Sequence, residues 1–559
     1  MSLSRRQFLY YTGPLLALPV LPKECSRLSD DYKNSTTPFV HGVASGDPES
    51  QRVVLWTRVS GDAQAPAQAV VTWTVALDPG FRQVVASGVT VTDARTDFTV
   101  KIDPDGLVPG TTHYYRFHAL GHDSPIGRTK TAPKKHVDRL RLGFASCSNL
   151  PYGFFNAYGA LALRPDLDAV LHLGDYLYEY ANGTFGDGTA LGRIPQPNKE
   201  ILSLADYRTR HAQYKTDPDL QAVHRQNPFI CVWDDHEVSN DAWKHGAENH
   251  QPATEGDFEA RRAAAIQAYF EWMPIRAEQR DRSNLIYRSF RFGDLLDLIM
   301  LDTRLIGRDQ QVADPCDART IADPNRQLLG ETQEAWFFKE LSSSVKRGTR
   351  WRVVGQQVMF GQLVNVLAPG ACIFNSDQWD GYAAARARVL GELAAKKIGN
   401  VAILTGDIHS SWGNDITPNP FDPALYDRAT GQGSLAVEFV TPAVTSPGIG
   451  DPAQAALLGG VLRQTHPHVK FVELSRRGYA LLDITPERIQ CEWYHVATIE
   501  ARSTAETLAA ALQVIDGENR LRTANAATLP RSNAAAFAPD SAPSTTATAT
   551  TSHDSSAPV

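Results

Sequence analysis

The chain has 559 residues, more than one hydrophobic core needs, and its 42% hydrophobic and 21% charged residues are the balance of an ordinary globular protein. A formal net charge of -7 removes the electrostatic case for nucleic acid or an anionic membrane surface as partner. Six cysteines, none in a CxxC spacing, exclude a disulfide scaffold and a zinc ribbon.

At the N-terminus, Ser4-Arg5-Arg6-Gln7-Phe8-Leu9 leads into a mostly apolar run through Leu21. Paired arginines before a short, moderately hydrophobic stretch have the pattern of a twin-arginine export signal. Gly13, Pro14 and Pro19 interrupt the run, which is too short for a membrane span. Residues 1–38 are therefore expected to be a signal and leader read by the twin-arginine export machinery. The mature protein is then periplasmic or secreted, with no membrane span. Cys25 follows Glu24, not a small residue, which argues against a lipoprotein anchor.

From Phe39 to Pro133 the pattern is β. Val53 to Trp56, Ala69 to Val75, Phe98 to Ile102 and His113 to Phe117 read as strands separated by Gly and Pro turns. Several short strands in such a span predict an immunoglobulin- or fibronectin-like β-sandwich, with Trp73 and Tyr115 in its core. Residues 134–500 read as an α/β domain. Five apolar runs end abruptly in polar residues: Leu142 to Ala145 before Cys147, Val170 to Leu173 before Asp175, Phe229 to Trp233 before Asp234, Leu298 to Leu301 before Asp302, and Val401 to Leu404 before Asp407. Continuous apolar runs fit strands covered on both faces, and ligand sites lie beyond the carboxyl ends of such strands. Helical patterns run from Phe258 to Trp272 and from Glu331 to Lys346, the second with an acid-rich first turn. Residues 501–559 form an extension that is dominated from about Ala526 by Ala, Ser, Thr and Pro, and its end is expected to be disordered. The cysteines other than Cys147 fit either buried free thiols or bridges, with Cys316 and Cys372 the favoured pair.

The strand ends carry the chemistry. In Gly174-Asp175-Tyr176-Leu177-Tyr178-Glu179 a carboxylate at a strand end has lone pairs for two metal ions, and Tyr178 follows three residues on. A phenol with a pKa near 10 becomes a ligand only beside a strongly Lewis-acidic ion such as ferric iron. In Gly406-Asp407-Ile408-His409 the alternate residues Asp407 and His409 can turn the same way. No packing reason places Asp234-Asp235-His236-Glu237 directly after Cys231-Val232-Trp233.

These segments, with the opening from Phe39-Val40-His41-Gly42 to Trp56-Thr57-Arg58 and the Leu301-Asp302-Thr303-Arg304 stretch, resemble in order the PhoD-type alkaline phosphatases and phosphodiesterases. The resemblance covers roughly Phe39 to Tyr494. It implies a calcineurin-like metallophosphatase α/β sandwich over residues 134–500 behind the N-terminal sandwich. Cys147, Asp235 and Asp407 depart from the wider metallophosphatase pattern in the way the PhoD branch does. The resemblance then implies ferric iron held by Cys147, Asp175, Tyr178 and His409, and calcium held by Asp175, Asp235 and Asp407. Asn240 or Asp241 would serve a further calcium. Thiolate, phenolate and imidazole suit iron, and added carboxylates suit a hard ion such as calcium. His236 would protonate the leaving group or steady the transition state, while Glu179, Asp234 and Arg304 are candidates for supporting or structural roles.

The expected function is a metal-dependent hydrolase of phosphate mono- or diesters, acting by direct attack of a metal-bound hydroxide. A phospholipase-D-like diesterase is the near rival. A surface binding protein with a relic α/β part is the distant one, disfavoured by the intact set of metal-type side chains. Ser146, Ser148 and Ser410 lie beside the presumed ligands, so a serine nucleophile stays in play on sequence grounds.

Overall fold

The computed structural model describes residues 37–61, 67–276, 285–365 and 372–539. The paired arginines and Cys25 lie outside the described residues. Most of the chain is built on two large mixed sheets. One has ten strands in the order Leu521–Thr523, Glu506–Ile515, Arg488–Val496, Gly478–Ile484, Leu140–Ala145, Ala169–His172, Pro228–Cys231, Val43–Gly46, Val54–Arg58 and Thr99–Ile102. Its central strands from Leu140–Ala145 to Val43–Gly46 run parallel. The other has seven: Arg288–Phe292, Leu296–Met300, Trp351–Gly355, Val401–Thr405, Ala436–Val440, Ser411–Ile416 and Val469–Glu473. Its four strands from Leu296–Met300 to Ala436–Val440 are parallel.

The apolar runs explain this stacking. Leu142, Phe144, Val170 and Leu171 of the first sheet share one core with Leu298, Met300, Val353 and Leu404 of the second. The alternate residues Ile299, Val354 and Ile403 face outward, against Phe337 and Leu341 of helix Glu331–Arg347 and Val389 and Leu393 of helix Ala383–Ala395. Period-two alternation thus buries both faces of the seven-stranded sheet. Helix Phe258–Trp272 occupies the predicted residues, begun by Asp257, whose side chain accepts from the Ala260 amide. Helix Glu331–Arg347 runs one residue past its predicted end.

The N-terminal segment is less separate than its sequence suggests. Val43–Gly46, Val54–Arg58 and Thr99–Ile102 complete the ten-stranded sheet, with Ser45 opposite Pro228 and Gly46 opposite Phe229. A Cβ on Gly46 would fall 2.1 Å from the Pro274 carbonyl oxygen, so only glycine lets the two stretches meet. The remaining strands, Val84–Asp93, Gln68–Ala76, Thr112–Ala119, His122–Asp123 and Gly127–Lys130, form a five-stranded sheet. Tyr115 is buried in its core, and Trp73 is partly buried against it.

The expected disorder from Ala526 does not hold as far as residue 539. Ala538 is buried, and the segment is hydrogen-bonded throughout: Tyr114 donates to the Ala536 carbonyl (2.6 Å), Gln226 exchanges two bonds with Ala538, and Arg225 reaches the Pro539 carbonyl. Arg531 bonds Asp168 (2.8 Å), and Arg128 lies over the Phe537 ring. The segment buries little apolar surface and is held by hydrogen bonds exchanged with distant residues, which composition does not reveal. Cys316 and Cys372 form a disulfide, while Cys147, Cys231 and Cys491 are buried thiols. Among the described residues no helix is long and apolar enough to cross a membrane.

Candidate active site

The carboxyl ends of the parallel strands of both sheets open toward one another, and the predicted residues gather there. Cys147 follows Leu140–Ala145, Asp175 and Tyr178 follow Ala169–His172, and Asp235 and His236 follow Pro228–Cys231. Asp407 and His409 come from the second sheet, after Val401–Thr405. Cys147, Asp175, Asp407 and His409 all have φ between 54° and 63°. That left-handed backbone is uncommon for residues with a side chain and is concentrated where function demands a fixed geometry. Gly174, at φ 101°, packs so closely on the next loop that a Cβ would lie 2.4 Å from the Asp234 Cβ.

Three overlapping groups could hold metal ions: Cys147 with Asp175 and His409, Asp175 with Asp235 and His236, and Asp234 with Asp235 and Asp407. Within each group the donor atoms lie within 4.8 Å of one another, and every residue is buried. Asp175 and Asp235 each belong to two groups, as bridging carboxylates between neighbouring ions would. The Tyr178 hydroxyl donates to Asp175 Oδ2 (2.9 Å), accepts from Ser446 Oγ (2.6 Å) and lies 3.3 Å from His409 Nε2. His409 Nδ1 is bonded to the Pro447 carbonyl (3.0 Å), which turns Nε2 toward Asp175 and Tyr178. Asn240 sits at the edge of the cluster, with its amide side chain on Glu248 (3.1 Å) and its backbone N–H on Glu179 (2.8 Å). The Asp241 backbone N–H donates to Asp235 Oδ2 (2.6 Å).

The electrostatics test whether cations fit. Burial, reinforced by Asp235, Asp175 and Asp407, raises the Asp234 carboxyl well above its ordinary range despite the Arg304 guanidinium in contact with it. Asp234 Oδ2 is buried with no hydrogen-bond partner among the described residues. Burial, then Asp175, pushes the Cys147 thiol up. For His236 burial works downward but is outweighed by Asp235, Glu179 and Asp175, so its pKa is pushed up to about 10. A cluster of buried carboxylates around one guanidinium carries excess negative charge, and bound cations relieve such an excess. Sulfur, imidazole and carboxylate donors at one point suit a transition metal, and a neighbouring carboxylate-only group suits a hard divalent ion.

Residues 142–493 match the model of the PhoD-like phosphatase, and residues 25–133 that of the PhoD-like phosphatase N-terminal domain. The chain belongs to the PhoD-like phosphatase family. Membership makes it a hydrolase of phosphoric ester bonds. Alkaline phosphatase D of Bacillus subtilis (strain 168) is 38% identical over 474 residues, which span 82% of this chain and 78% of that protein. The solved structure of PhoD matches with a TM-score of 0.79 at 35% identity, covering 89% of this chain and 94% of that one.

Sequence reasoning missed several residues of this PhoD-like site. Arg304 was singled out only as a supporting candidate, yet it bonds Asp234, Asp377 (2.8 Å) and Asp407 (2.9 Å) at once. Gln378 donates to Asp407 Oδ2 (2.6 Å), and both Asp377 and Gln378 come from a loop with no motif. Gln357 ties three strand ends together through the Trp233 and Leu301 carbonyls and the Thr303 amide. Its signal was available, since Trp351-Arg352-Val353-Val354-Gly355 is another buried run ending in polar residues. Glu237 accepts from the amides of Asp175 (3.0 Å), Tyr176 (2.6 Å) and Asp234 (2.7 Å), so it pins loops rather than facing the cluster. Phe185, from the loop after Tyr180, stacks on both His236 and His409.

Proposed function

We propose that this PhoD-like phosphatase hydrolyses phosphate mono- and diesters with ferric iron held by Cys147, Asp175, Tyr178 and His409 and calcium held by Asp175, Asp235 and Asp407. Asn240 completes a further calcium position. The observation that carries the reading is that Asp175 is shared by a group with Cys147 and His409 and a group with Asp235 and His236, and that Asp235 links the second to a carboxylate-only group with Asp234 and Asp407. The name of the Bacillus subtilis relative, alkaline phosphatase D, supports monoesters among the substrates. Bound ions would neutralise phosphoryl charge and lower the pKa of a coordinated water.

The protein's own residues supply orientation and proton transfer. His236 Nδ1 bonds Glu179 Oε2 (2.7 Å), and Glu179 is fixed in turn by the Asn240 amide and the Asn249 side chain (3.0 Å). The carboxylate fixes the ring and, after Asp235, favours its protonated form, so Nε2 can give its proton to the departing ester oxygen. Of the neighbouring serines, Ser146 Oγ accepts from the Cys147 thiol (3.2 Å), and the other two are engaged elsewhere. Ser148 Oγ donates to the Tyr176 carbonyl (2.8 Å), and Ser410 Oγ donates to Ile408 (3.0 Å) and accepts from Trp412 (2.8 Å). This favours a single displacement at phosphorus without a phosphoenzyme.

The accompanying fold reading is an immunoglobulin- or fibronectin-like sandwich over 39–133, a calcineurin-like metallophosphatase sandwich over 134–500, and an extension over 501–559. Arg5 and Arg6 are the ground for twin-arginine export to the periplasm or beyond. Metal analysis of the purified protein, with turnover of p-nitrophenyl and bis(p-nitrophenyl) phosphate, tests the reading. Iron and calcium are expected, Cys147→Ala should lose iron and most turnover, and calcium should restore chelated enzyme better than zinc. Restoration by zinc alone would contradict the calcium assignment.

A further inference from the structure

The mouth of the site is aromatic. The Phe185 ring lies 6.2 Å from the His236 ring with the planes 13° apart, and 6.4 Å from that of His409 at 29°. It also packs 5.8 Å from Tyr178, 5.5 Å from Tyr180 and 5.6 Å from Tyr152. Tyr178, Tyr180, His236 and His409 are buried, whereas Phe185 and Tyr152 keep part of their surface exposed.

The loop that presents this ring is built to hold it. Asn182 bonds Asp187 (2.7 Å), Thr189 (3.1 Å) and the Gly188 amide (2.8 Å), and the Gly183 amide closes a turn onto the Gly186 carbonyl (2.9 Å). Asn149, two residues past Cys147, donates to the Phe185 carbonyl (3.0 Å). Gly186, at φ 96°, lies against the Tyr152 ring, where a Cβ would come within 2.7 Å. Phe185 is thereby fixed to the same strand end that supplies Cys147.

We propose that Phe185 is a specificity-determining residue that packs against the alcohol portion of the ester and selects esters presenting a planar or hydrocarbon face over polyol esters. The proposal rests on the role given to His236 above. The departing oxygen must approach His236, so the group it carries passes beside the ring nearly parallel to that imidazole. An aryl or hydrocarbon group gains offset stacking and loses little hydration there. A polyol surrenders water hydrogen bonds where it meets the Phe185 ring face, which offers none in return.

The test compares phenyl phosphate with glycerol 1-phosphate, by phosphate release, in metal-loaded wild type, Phe185→Leu and Phe185→Ala. The phenyl-over-glycerol ratio of kcat/KM should fall roughly three- to tenfold in Phe185→Ala, mainly through KM, and by less in Phe185→Leu. Metal content should match wild type. Equal losses on both substrates would assign the ring a purely structural role and overturn the proposal, as would an unchanged ratio. Inhibition by phenylphosphonate against methylphosphonate reads the same preference without turnover, and Phe185→Ala should narrow it by a similar factor. Full turnover in His236→Gln would overturn the proton-donor role, and the phosphonate pair would still decide the role of Phe185.

Discussion

His236 is useful only as Glu179 holds it. Glu179→Gln keeps the size of the side chain but removes the charge that favours the imidazolium. We expect a roughly 10- to 100-fold lower kcat with metal content intact, measured by steady-state kinetics and metal analysis. A different residue carries the clearest pH signature. Lys215 is buried between the rings of Trp56 (4.9 Å) and Tyr176 (5.2 Å), with Nζ 3.1 Å from His224 Nε2. Burial, with Lys101 adding to it, pulls its pKa down to about 7. Below that pH the lysine is charged in both states and the folded protein bears the full cost of the buried ammonium. Between about 7 and the ordinary value of 10.5 the unfolded chain binds the extra proton, so this contribution to stability rises with pH. Lys215→Met should therefore stabilise the fold more at pH 7 than at pH 10, read from urea midpoints at both. His236, Asp175 and Asp407 were legible in the sequence because acids and histidine directly after buried apolar runs have no packing explanation. Lys215 was not, since an isolated lysine in a helical pattern reads as a solvated side chain.

The Gly-Asp pairs at the ends of Ala169–His172 and Val401–Thr405 show what an element needs at such a place. Each strand must end where a second loop crosses it closely. A Cβ on Gly174 would meet Asp234, and one on Gly406 would lie 2.8 Å from Ser146. Gly174→Ala combines overpacking with a positive φ and should cost roughly 2–4 kcal/mol, together with loss of bound metal. Gly391→Ala, in helix Ala383–Ala395 with nothing near its Cβ, is the control and should be neutral or stabilising in the same denaturation experiment. The strands that end in acids were readable because apolar continuity and the chemistry after it point to the same boundary. Asp377, Gln378 and Ser446 were not, because their role is set by where loops cross in space, which no local pattern encodes. The same holds for Val43–Gly46, whose four residues read as the start of a sandwich until Pro228–Cys231 is seen beside them.

At the scale of the molecule, the residues around 529–539 run along the surface and join the five-stranded sheet, through Tyr114 and Arg128, to Asp166, Asp168 and Gln226 of the main body. Ending the chain after Thr528 should lower the thermal unfolding midpoint by a few degrees while leaving metal content unchanged, measured by calorimetry and metal analysis. Composition concealed this because the bonds join backbone groups and Arg531 to partners hundreds of residues away. The division of the metal-type side chains between two sheets has a different consequence. Tyr178 and His409, 231 residues apart in sequence, meet at 3.3 Å, and an ion held as proposed by both sheets would act as a rivet through the seam. Binding the folded chain and not the unfolded one, such an ion would favour the folded state by an amount that grows with free ion, about 2.7 kcal/mol at a hundredfold excess over Kd. Chelation should therefore lower the melting temperature and raise amide exchange along both Ala169–His172 and Val401–Thr405. The heat tolerance of the molecule then becomes a property of the surrounding medium, rising and falling with the ions it offers.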